Sequence, residues 1–265
     1  MEGVRAGGPY PLPQTPSPIP YSGLSHVDTI LQGFISAFKL ILALDPELLK
    51  IIWLSLQVSG GALLLAILLG LPLGALMALR RLPLRGLILS ILNTGMGLPP
   101  VVVGLVLYLL LSRSGPLGFM SLLYTPGAMI IAQFILAFPI VTSLAHTAIV
   151  NVNPIIRQAA RVLGANPWQE ALTVIREARY GIITGGIAGL GRVTAEVGSV
   201  IIVGGNIAGY TRVITTTIAL ETDKGNFDLA IALGIILLGL SLLINLALRA
   251  IQRLGRTSSG VILWD

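Results

Sequence analysis

The residues of this chain best suited to chemistry lie in a polar island, 153–179, between two long apolar stretches. The island carries the run Gln158-Ala159-Ala160-x3-Gly164 and four arginines, Arg157, Arg161, Arg176 and Arg179. Asn153-Pro154 and Asn166-Pro167 each pair an N-cap side chain with a proline at the first helical position, which is typical of a helix start. We therefore predict two short amphipathic helices, neither of them long enough to span a membrane.

Gly164 is predicted to end the first of these helices, because glycine readily adopts the positive φ of a helix C-terminus. Gln169 stands where the partner residue of a capping box would stand in the second helix. The small side chains at Ala159 and Ala160, together with Gly164, leave a groove that a partner protein can approach. Two interpretations stay open at this point: the helices lie on lipid headgroups, or they form a docking element for another protein.

Arg192 and Glu196 are the second candidate for chemistry, because they are charged residues within an apolar stretch. Residues four apart share one face of a helix. Charges at membrane depth are costly, and they usually face a bundle interior or an aqueous cavity. The pair is interpreted either as a mutually neutralising pair that fixes helix packing or as part of a gate or cavity wall.

The sequence offers no set of residues for catalysis, for a metal or for a nucleotide. The motif G-x4-G-K-[S/T] is absent, and the only lysines are Lys39, Lys50 and Lys224. His26 and His146 are too far apart in sequence for a metal site recognised by spacing, and there is no cysteine. We therefore predict a chain that is not an enzyme and holds no cofactor or metal. If ATP drives its action, the ATPase is another chain.

The elements that position these residues are predicted to be membrane helices. The chain has 265 residues, of which 54% are hydrophobic and 11% charged, and its mean hydropathy is +0.89. Soluble domains carry about 25% charged residues, so the composition indicates an integral membrane protein. The net charge of +6 does not indicate nucleic-acid binding, because the basic residues lie between apolar runs.

Five apolar segments reach the roughly 20 residues that a helix needs to cross the hydrocarbon core, and backbone in lipid must be helical to satisfy its polar groups. These predicted spans are 51–79, 87–111, 128–150, 182–204 and 229–248. Small residues repeat at Gly70-x3-Gly74 and Gly181-x3-Gly185-x3-Gly189, which lets neighbouring helices approach closely. Prolines are expected to kink three spans, at Pro72, Pro99-Pro100 and Pro139.

The arginines indicate an orientation with the N-terminus outside and the C-terminus in the cytoplasm. Ten of the 17 basic residues then lie on the cytoplasmic side, as the positive-inside rule requires. These ten are Arg80, Arg81, Arg85, the four arginines of the island, Arg249, Arg253 and Arg256.

The regions outside the spans divide into three. Residues 1–26 contain six prolines between Pro9 and Pro20 and are predicted to be a disordered tail. Residues 27–50 are predicted to form an amphipathic interfacial helix, with a tilted sixth span over 29–44 as the alternative. Residues 51–256 form the transmembrane domain, and 257–265 form a loose C-terminal tail.

The island resembles a known family. Gln158-Ala159-Ala160-x3-Gly164 is similar to the "EAA…G" signature of binding-protein-dependent ABC importer permeases, with glutamine in place of the glutamate. Val174-Ile175-Arg176-Glu177 stands where that family usually has I-x-L-P. Other stretches resemble the tungstate-type permeases, and the resemblance covers about 29–252. These stretches are 93–104, 176–181, 196–200, 204–212 and 219–222.

The resemblance implies an all-α permease of the type I ABC importer kind, which imports an oxyanion by alternating access. Tungstate is the first expectation, and molybdate and sulfate are the alternatives. The implied partners are a cytoplasmic ATPase dimer, an extracytoplasmic substrate-binding protein, a second copy of the chain and membrane lipid. The residues expected to couple to the ATPase are Gln158, Ala159, Ala160, Gly164 and Ala165.

The candidates for the translocation pathway are Arg192, Glu196, Gly198, Asn206, Thr211 and Arg212. The last three lie either in an ordinary polar loop or in an outer vestibule or docking surface, and 215–220 is expected to form a short helix after them. An ion-coupled secondary transporter is the rival class, which should carry isolated intramembrane carboxylates and an inverted repeat. Only Glu196 fits the first criterion, and no convincing repeat is visible.

Overall fold

The computed structural model describes residues 34–36, 38, 39, 42, 46–80 and 82–257, with side chains up to residue 247 and at residue 250. Within this part the chain is all-α, as predicted. From residue 46 onward it has ten helices and a short 3₁₀ turn, Gly118–Met120. The helices are α1 (Pro46–Leu79), α2 (Arg85–Met96), α3 (Pro100–Leu111), α4 (Pro126–Val150), α5 (Pro154–Val162), α6 (Pro167–Glu177), α7 (Arg179–Thr194), α8 (Gly198–Gly204), α9 (Ile214–Asp223) and α10 (Phe227–Thr257).

Three of the described helices, α1, α4 and α10, are long and apolar enough to cross a membrane on their own. The pairs α2–α3 and α7–α8 are also long and apolar enough when each bent pair is taken as one span. The helix predicted over 215–220 is confirmed as α9. Both tails, most of the predicted interfacial helix, and Arg81 lie outside the described residues, and so do the side chains of Arg249, Arg253 and Arg256. α1 begins at Pro46 and so includes residues 46–50.

The repeated glycines act as the close-contact points that the sequence predicted. A Cβ on Gly70 would lie 2.6 Å from Thr142 Oγ1 on α4, and one on Gly74 would lie 2.7 Å from the Thr142 carbonyl oxygen. On the other side of α4, a Cβ on Gly189 would lie 2.8 Å from Val141 Cγ2. The centre of the bundle is therefore α4, with α1 packed against its backbone and α7 against its side chains.

Two predicted spans are not single helices. Residues 87–111 are interrupted at 97–99, where α2 and α3 meet at a bend of 104°. Pro99 is extended (φ −66°, ψ 124°) ahead of Pro100, as the residue before a proline prefers. Residues 182–204 are interrupted at 195–197, where α7 and α8 meet at 58°. A kink in a continuous helix was expected at Pro99-Pro100 and a single unkinked helix over 182–204; each place is instead a break with non-helical backbone.

Candidate functional site

The island folds as two short helices, as the sequence predicts, because its caps are local. Asn153 Oδ1 accepts a hydrogen bond from the Ile155 amide at 3.0 Å. Asn166 Oδ1 accepts from the Gln169 amide at 2.8 Å while Gln169 Oε1 accepts from the Asn166 amide at 2.9 Å, which completes the capping box. Gly164 has φ +80° in the turn between α5 and α6, the left-handed region that favours glycine.

Glu170 holds the two island helices together, and sequence reasoning missed it. Its carboxylate contacts Arg157 Nε at 3.0 Å and Arg161 Nε at 2.8 Å. The hydrogen bond from Arg161 is the main reason that the pKa of the Glu170 carboxyl lies below its ordinary value. A signal was present, since Arg157 and Arg161 share one face of α5 and Glu170 is the acidic residue in the first turn of α6.

The tip of the island is apolar and faces away from the bundle. Val162, Leu163 and Trp168 are 87%, 86% and 76% exposed. The side of α6 that does pack is carried by Val174, which is buried against the ends of α1 and α4. An apolar stripe over Trp168, Ala171, Leu172 and Ile175 is therefore only partly buried, and the exposed remainder is available to a partner.

The two breaks are joined by Arg192, near the end of α7. Arg192 Nη2 donates a hydrogen bond at 3.3 Å to the carbonyl oxygen of Leu98, which lies in the α2–α3 break. Arg192 Nη1 lies 3.9 Å from Glu196 Oε2 in the α7–α8 break. Arg192 therefore contacts both breaks, so its role is not limited to neutralising the charge of Glu196.

Glu196 is 3% exposed and is held mainly by the helix that follows it. Its Oε1 accepts hydrogen bonds from the Ser199 amide at 3.0 Å and from Ser199 Oγ at 3.2 Å. The carboxylate thus caps the amino end of α8 where helix amides lack partners. Gly198, between these two residues, lies close to α3: a Cβ there would be 3.0 Å from Val101 Cγ2.

Two further polar residues satisfy the backbone of the α7–α8 break: Gln133, which sequence reasoning missed, and Thr215, which it placed in a polar loop or outer vestibule. Gln133 of α4 donates through Nε2 to the Val193 carbonyl oxygen at 3.0 Å. Thr215 of α9 donates through Oγ1 to the Glu196 carbonyl oxygen at 2.9 Å. Non-helical backbone at membrane depth requires such partners. The position of Gln133 within an otherwise apolar span was the available signal.

The remaining pathway candidates form a separate cluster after α8. Thr211 Oγ1 donates to the Gly204 carbonyl oxygen at 2.5 Å and accepts from the Ile207 amide at 2.9 Å. Asn206 Oδ1 accepts from Thr216 Oγ1 at 2.9 Å. These two side chains therefore hold the loop and the start of α9. Arg212 lies in the same turn, and its Nε is buried without a hydrogen-bond partner among the described residues.

The chain was compared with known proteins by sequence. The sequence model of the family described as "Binding-protein-dependent transport system inner membrane component" matches residues 70–256. The tungstate uptake system permease protein TupB of Peptoclostridium acidaminophilum is 41% identical over 226 residues, which is 85% of this chain and 99% of that protein. A probable anion ABC transporter permease protein of Haloferax volcanii is 48% identical over 203 residues, 75% of this chain and 88% of that protein.

A comparison of structures finds the same fold in a solved transporter. A chain in the crystal structure of a bacterial alginate ABC transporter, in complex with an alginate-pentasaccharide-bound periplasmic protein, superposes with a TM-score of 0.67. The match covers 86% of this chain and 87% of that chain at 22% sequence identity. At this identity the likeness concerns the fold alone.

Proposed function

The chain belongs to the family of binding-protein-dependent transport system inner-membrane components, and on that premise we propose that it carries tungstate into the cell. It is a multi-pass transport subunit of an ABC importer and not an enzyme. The family works with an ATPase and a substrate-binding protein. The proposal of tungstate rests on the 41% identity, over nearly the whole length, to a permease named for tungstate uptake.

The substrate is tested by uptake in cells that carry this chain with its partner binding protein and ATPase. We expect accumulation of tungsten at low external tungstate, with little competition from an excess of molybdate or sulfate. Selection is placed in the binding protein, because tight binding inside the pathway would trap the anion. Tungstate should therefore raise the melting temperature of the purified binding protein at a lower concentration than molybdate or sulfate does. If the cells take up molybdate or sulfate as well as they take up tungstate, the proposal is contradicted.

The island is the proposed ATPase-coupling element, and its exposed apolar tip is the observation that carries this. Gln158, Ala159 and Gly164 are exposed, and Leu163 beside them is 86% exposed. Ala160 and Ala165 are half-buried and complete the predicted coupling set. An apolar tip of this kind is more stable when covered. The Glu170 clamp holds the two helices in one arrangement, so that a push on the tip moves both.

Copurification of the ATPase tests this role. Gly164→Glu places a charge at the tip, where a Cβ on Gly164 meets nothing within 4 Å. Gly164→Asn is the matched control, because asparagine tolerates positive φ better than other side chains. Leu163→Asp tests the same surface without backbone strain. We expect both charged variants to be expressed at normal levels and to lose the ATPase, while Gly164→Asn keeps it. Normal copurification of both charged variants would refute the docking role.

The joined breaks are the proposed moving part of the pathway. Arg192, Glu196 and Gly198 lie together where α7 passes into α8, whereas Asn206, Thr211 and Arg212 follow α8 and form the proposed outer vestibule. Closure of the ATPase dimer moves the island, and the helices around the breaks reorient between outward and inward access. Half-helices that meet at a break can change their angle without losing hydrogen bonds inside either helix.

The orientation and the oligomer complete the proposal. We place the N-terminus and the 112–125 loop outside and the island inside, with a second copy and lipid covering the apolar outer faces. The chain has no cysteine, so Phe119→Cys and Gln158→Cys give single labelling sites. Phe119, which is 82% exposed, should react with an impermeant thiol reagent in intact cells, and position 158 only after permeabilisation. The reverse pattern excludes this orientation, and a complex with a single permease copy excludes the homodimer.

A further inference from the structure

A small cavity of about 30 Å³ lies beside the α7–α8 break. It is enclosed by α1, α4, α7, α9 and α10, and α10 contributes mainly apolar side chains, Leu237, Leu240 and Ile244. The polar part of the wall is unusual for the centre of an apolar bundle. It consists of Ser55, Ser59, Gln133, Thr194, Thr215 and Ser241.

Gln133 has an unused acceptor at this cavity. The side chain is 3% exposed, and its Nε2 donates to the Val193 carbonyl oxygen. That bond fixes the orientation of the amide, because a carbonyl oxygen cannot pair with Oε1. Oε1 is buried and has no hydrogen-bond partner among the described residues. A buried amide oxygen is rarely left in this condition, so the site calls for a donor.

The neighbouring hydroxyls also present acceptors. Ser55 Oγ donates to the Ile51 carbonyl oxygen, Thr194 Oγ1 to that of Leu190, and Thr215 Oγ1 to that of Glu196. Each of these hydroxyl groups donates its single proton to a carbonyl oxygen. Ser55 Oγ also accepts from the Ile214 amide at 2.9 Å, so it keeps one free lone pair, whereas the two threonine oxygens keep two. Gln133 Oε1 and the hydroxyl lone pairs together make a wall rich in acceptors.

The occupant must therefore be a small hydrogen-bond donor. An oxyanion does not fit, because it carries only acceptors and the wall already presents the unpaired Gln133 Oε1. Water does fit, since a cavity of about 10–15 Å³ with two to four polar partners is enough to hold a water. We propose that this cavity is a water-binding site, in which ordered water donates to Gln133 Oε1 and bridges it to the hydroxyls beside the break.

The proposed water also has a mechanical role at the α7–α8 break. Gln133 holds the Val193 carbonyl oxygen at the end of α7, and Thr215 holds the Glu196 carbonyl oxygen within the break. Water that bridges the two side chains keeps both in the rotamers that make those bonds. It can also exchange partners when the angle between α7 and α8 changes, which a side chain fixed by packing cannot do. The water site stands on the local chemistry alone, and its effect on transport rests on the proposed function.

A cryo-EM map of the purified transporter, at a resolution that shows ordered water elsewhere, decides the site. We expect density within hydrogen-bond distance of Gln133 Oε1 in the unchanged chain. A cavity without density overturns the proposal. A sodium ion is the other occupant that oxygen lone pairs could hold, and it is excluded by unfolding temperatures that are equal in sodium and choline salts. A sodium-dependent rise that is lost in Ser59→Val overturns water in favour of a cation.

Ser59→Val and Ser143→Val form a matched pair for the mechanical role. Both serines lie in long spans and are buried, at 8% and 6% exposure, but only Ser59 lines the cavity. Ser59→Val should fill the cavity, remove the density and slow uptake about fivefold, as the loss of roughly one hydrogen bond implies. Ser143→Val should keep the density. Unchanged uptake in Ser59→Val after the density is lost overturns the mechanical role and leaves the water site intact.

Discussion

Gly104→Ala tests whether α3 and α8 are in the close contact that joins the two breaks. A Cβ on Gly104 would lie 2.8 Å from the Ser199 Cα and 3.1 Å from Ile202 Cδ1. Carbon atoms pack best at about 3.5–4.0 Å, so the helices would have to separate by roughly 0.7 Å or more. The first obstacle is backbone, which cannot turn away as a side chain can. Overpacking of this kind costs about 1–3 kcal/mol.

The matched controls are Gly60→Ala in α1 and Gly239→Ala in α10, where an added Cβ meets nothing within 4 Å. Alanine should stabilise these helix positions by about 0.5–1 kcal/mol relative to glycine. Gly198→Ala should be intermediate, because its nearest contact, at 3.0 Å, is the Val101 side chain, which can move.

The assay is thermal unfolding of the detergent-purified chain, followed by the loss of its monodisperse peak. A cost of 1 kcal/mol lowers the midpoint by about 2–4 °C in chains of roughly this size. Gly104→Ala should therefore melt several degrees below Gly60→Ala and Gly239→Ala. If Gly104→Ala melts together with the two controls, α3 and α8 are not packed backbone to backbone as the Gly104–Ser199 approach requires.

Two further predictions concern the charged groups. Because the pKa of Glu170 is lowered in the folded island, its clamp should be intact at neutral pH and be lost as the pH falls through that lowered pKa. Spin labels on Gln158→Cys and Thr173→Cys should report a broader distribution of distances at low pH. Glu170→Gln should show this broader distribution already at neutral pH. An unbroadened distribution in Glu170→Gln would contradict the clamp. Exchange of charges in Arg192→Glu with Glu196→Arg should fail to restore assembly, because an arginine cannot accept from Ser199 and a glutamate cannot donate to a carbonyl oxygen. Restored assembly, measured as the yield of monodisperse complex, would show that the two residues merely pair.

The island could be predicted from the sequence because its determinants are local. Asn153 accepts from an amide two residues further on, the Asn166–Gln169 box closes over three residues, and Gly164 depends only on its own φ. The close glycine contacts were predictable for a similar reason, since the spacing alone places them on one face. The Glu170 clamp required a choice among several charge pairings, which spacing does not make.

The α7–α8 break could not be predicted because its causes are distant in sequence, whereas Pro99-Pro100 marked the position of the α2–α3 break. By hydropathy, residues 182–204 are one apolar run, and no residue in that run excludes a helix through 195–197. What satisfies the open backbone is Gln133, which is 60 residues from Val193, and Thr215, which is 19 residues from Glu196. In the other break, Arg192 reaches a carbonyl oxygen 94 residues away. Only the packed bundle brings these groups together.

The island and the breaks are connected through α7. α6 ends at Glu177, α7 begins at Arg179, and Ala178 between them is buried against the ends of α1 and α4. At 1.5 Å per residue, the 16 residues of α7 span about 24 Å, from the island to Arg192 near its far end. A tilt of the island about Ala178 must therefore move Arg192 relative to Leu98. Since Arg192 contacts both breaks, one rigid helix is enough to transmit a push at the island to both bent spans.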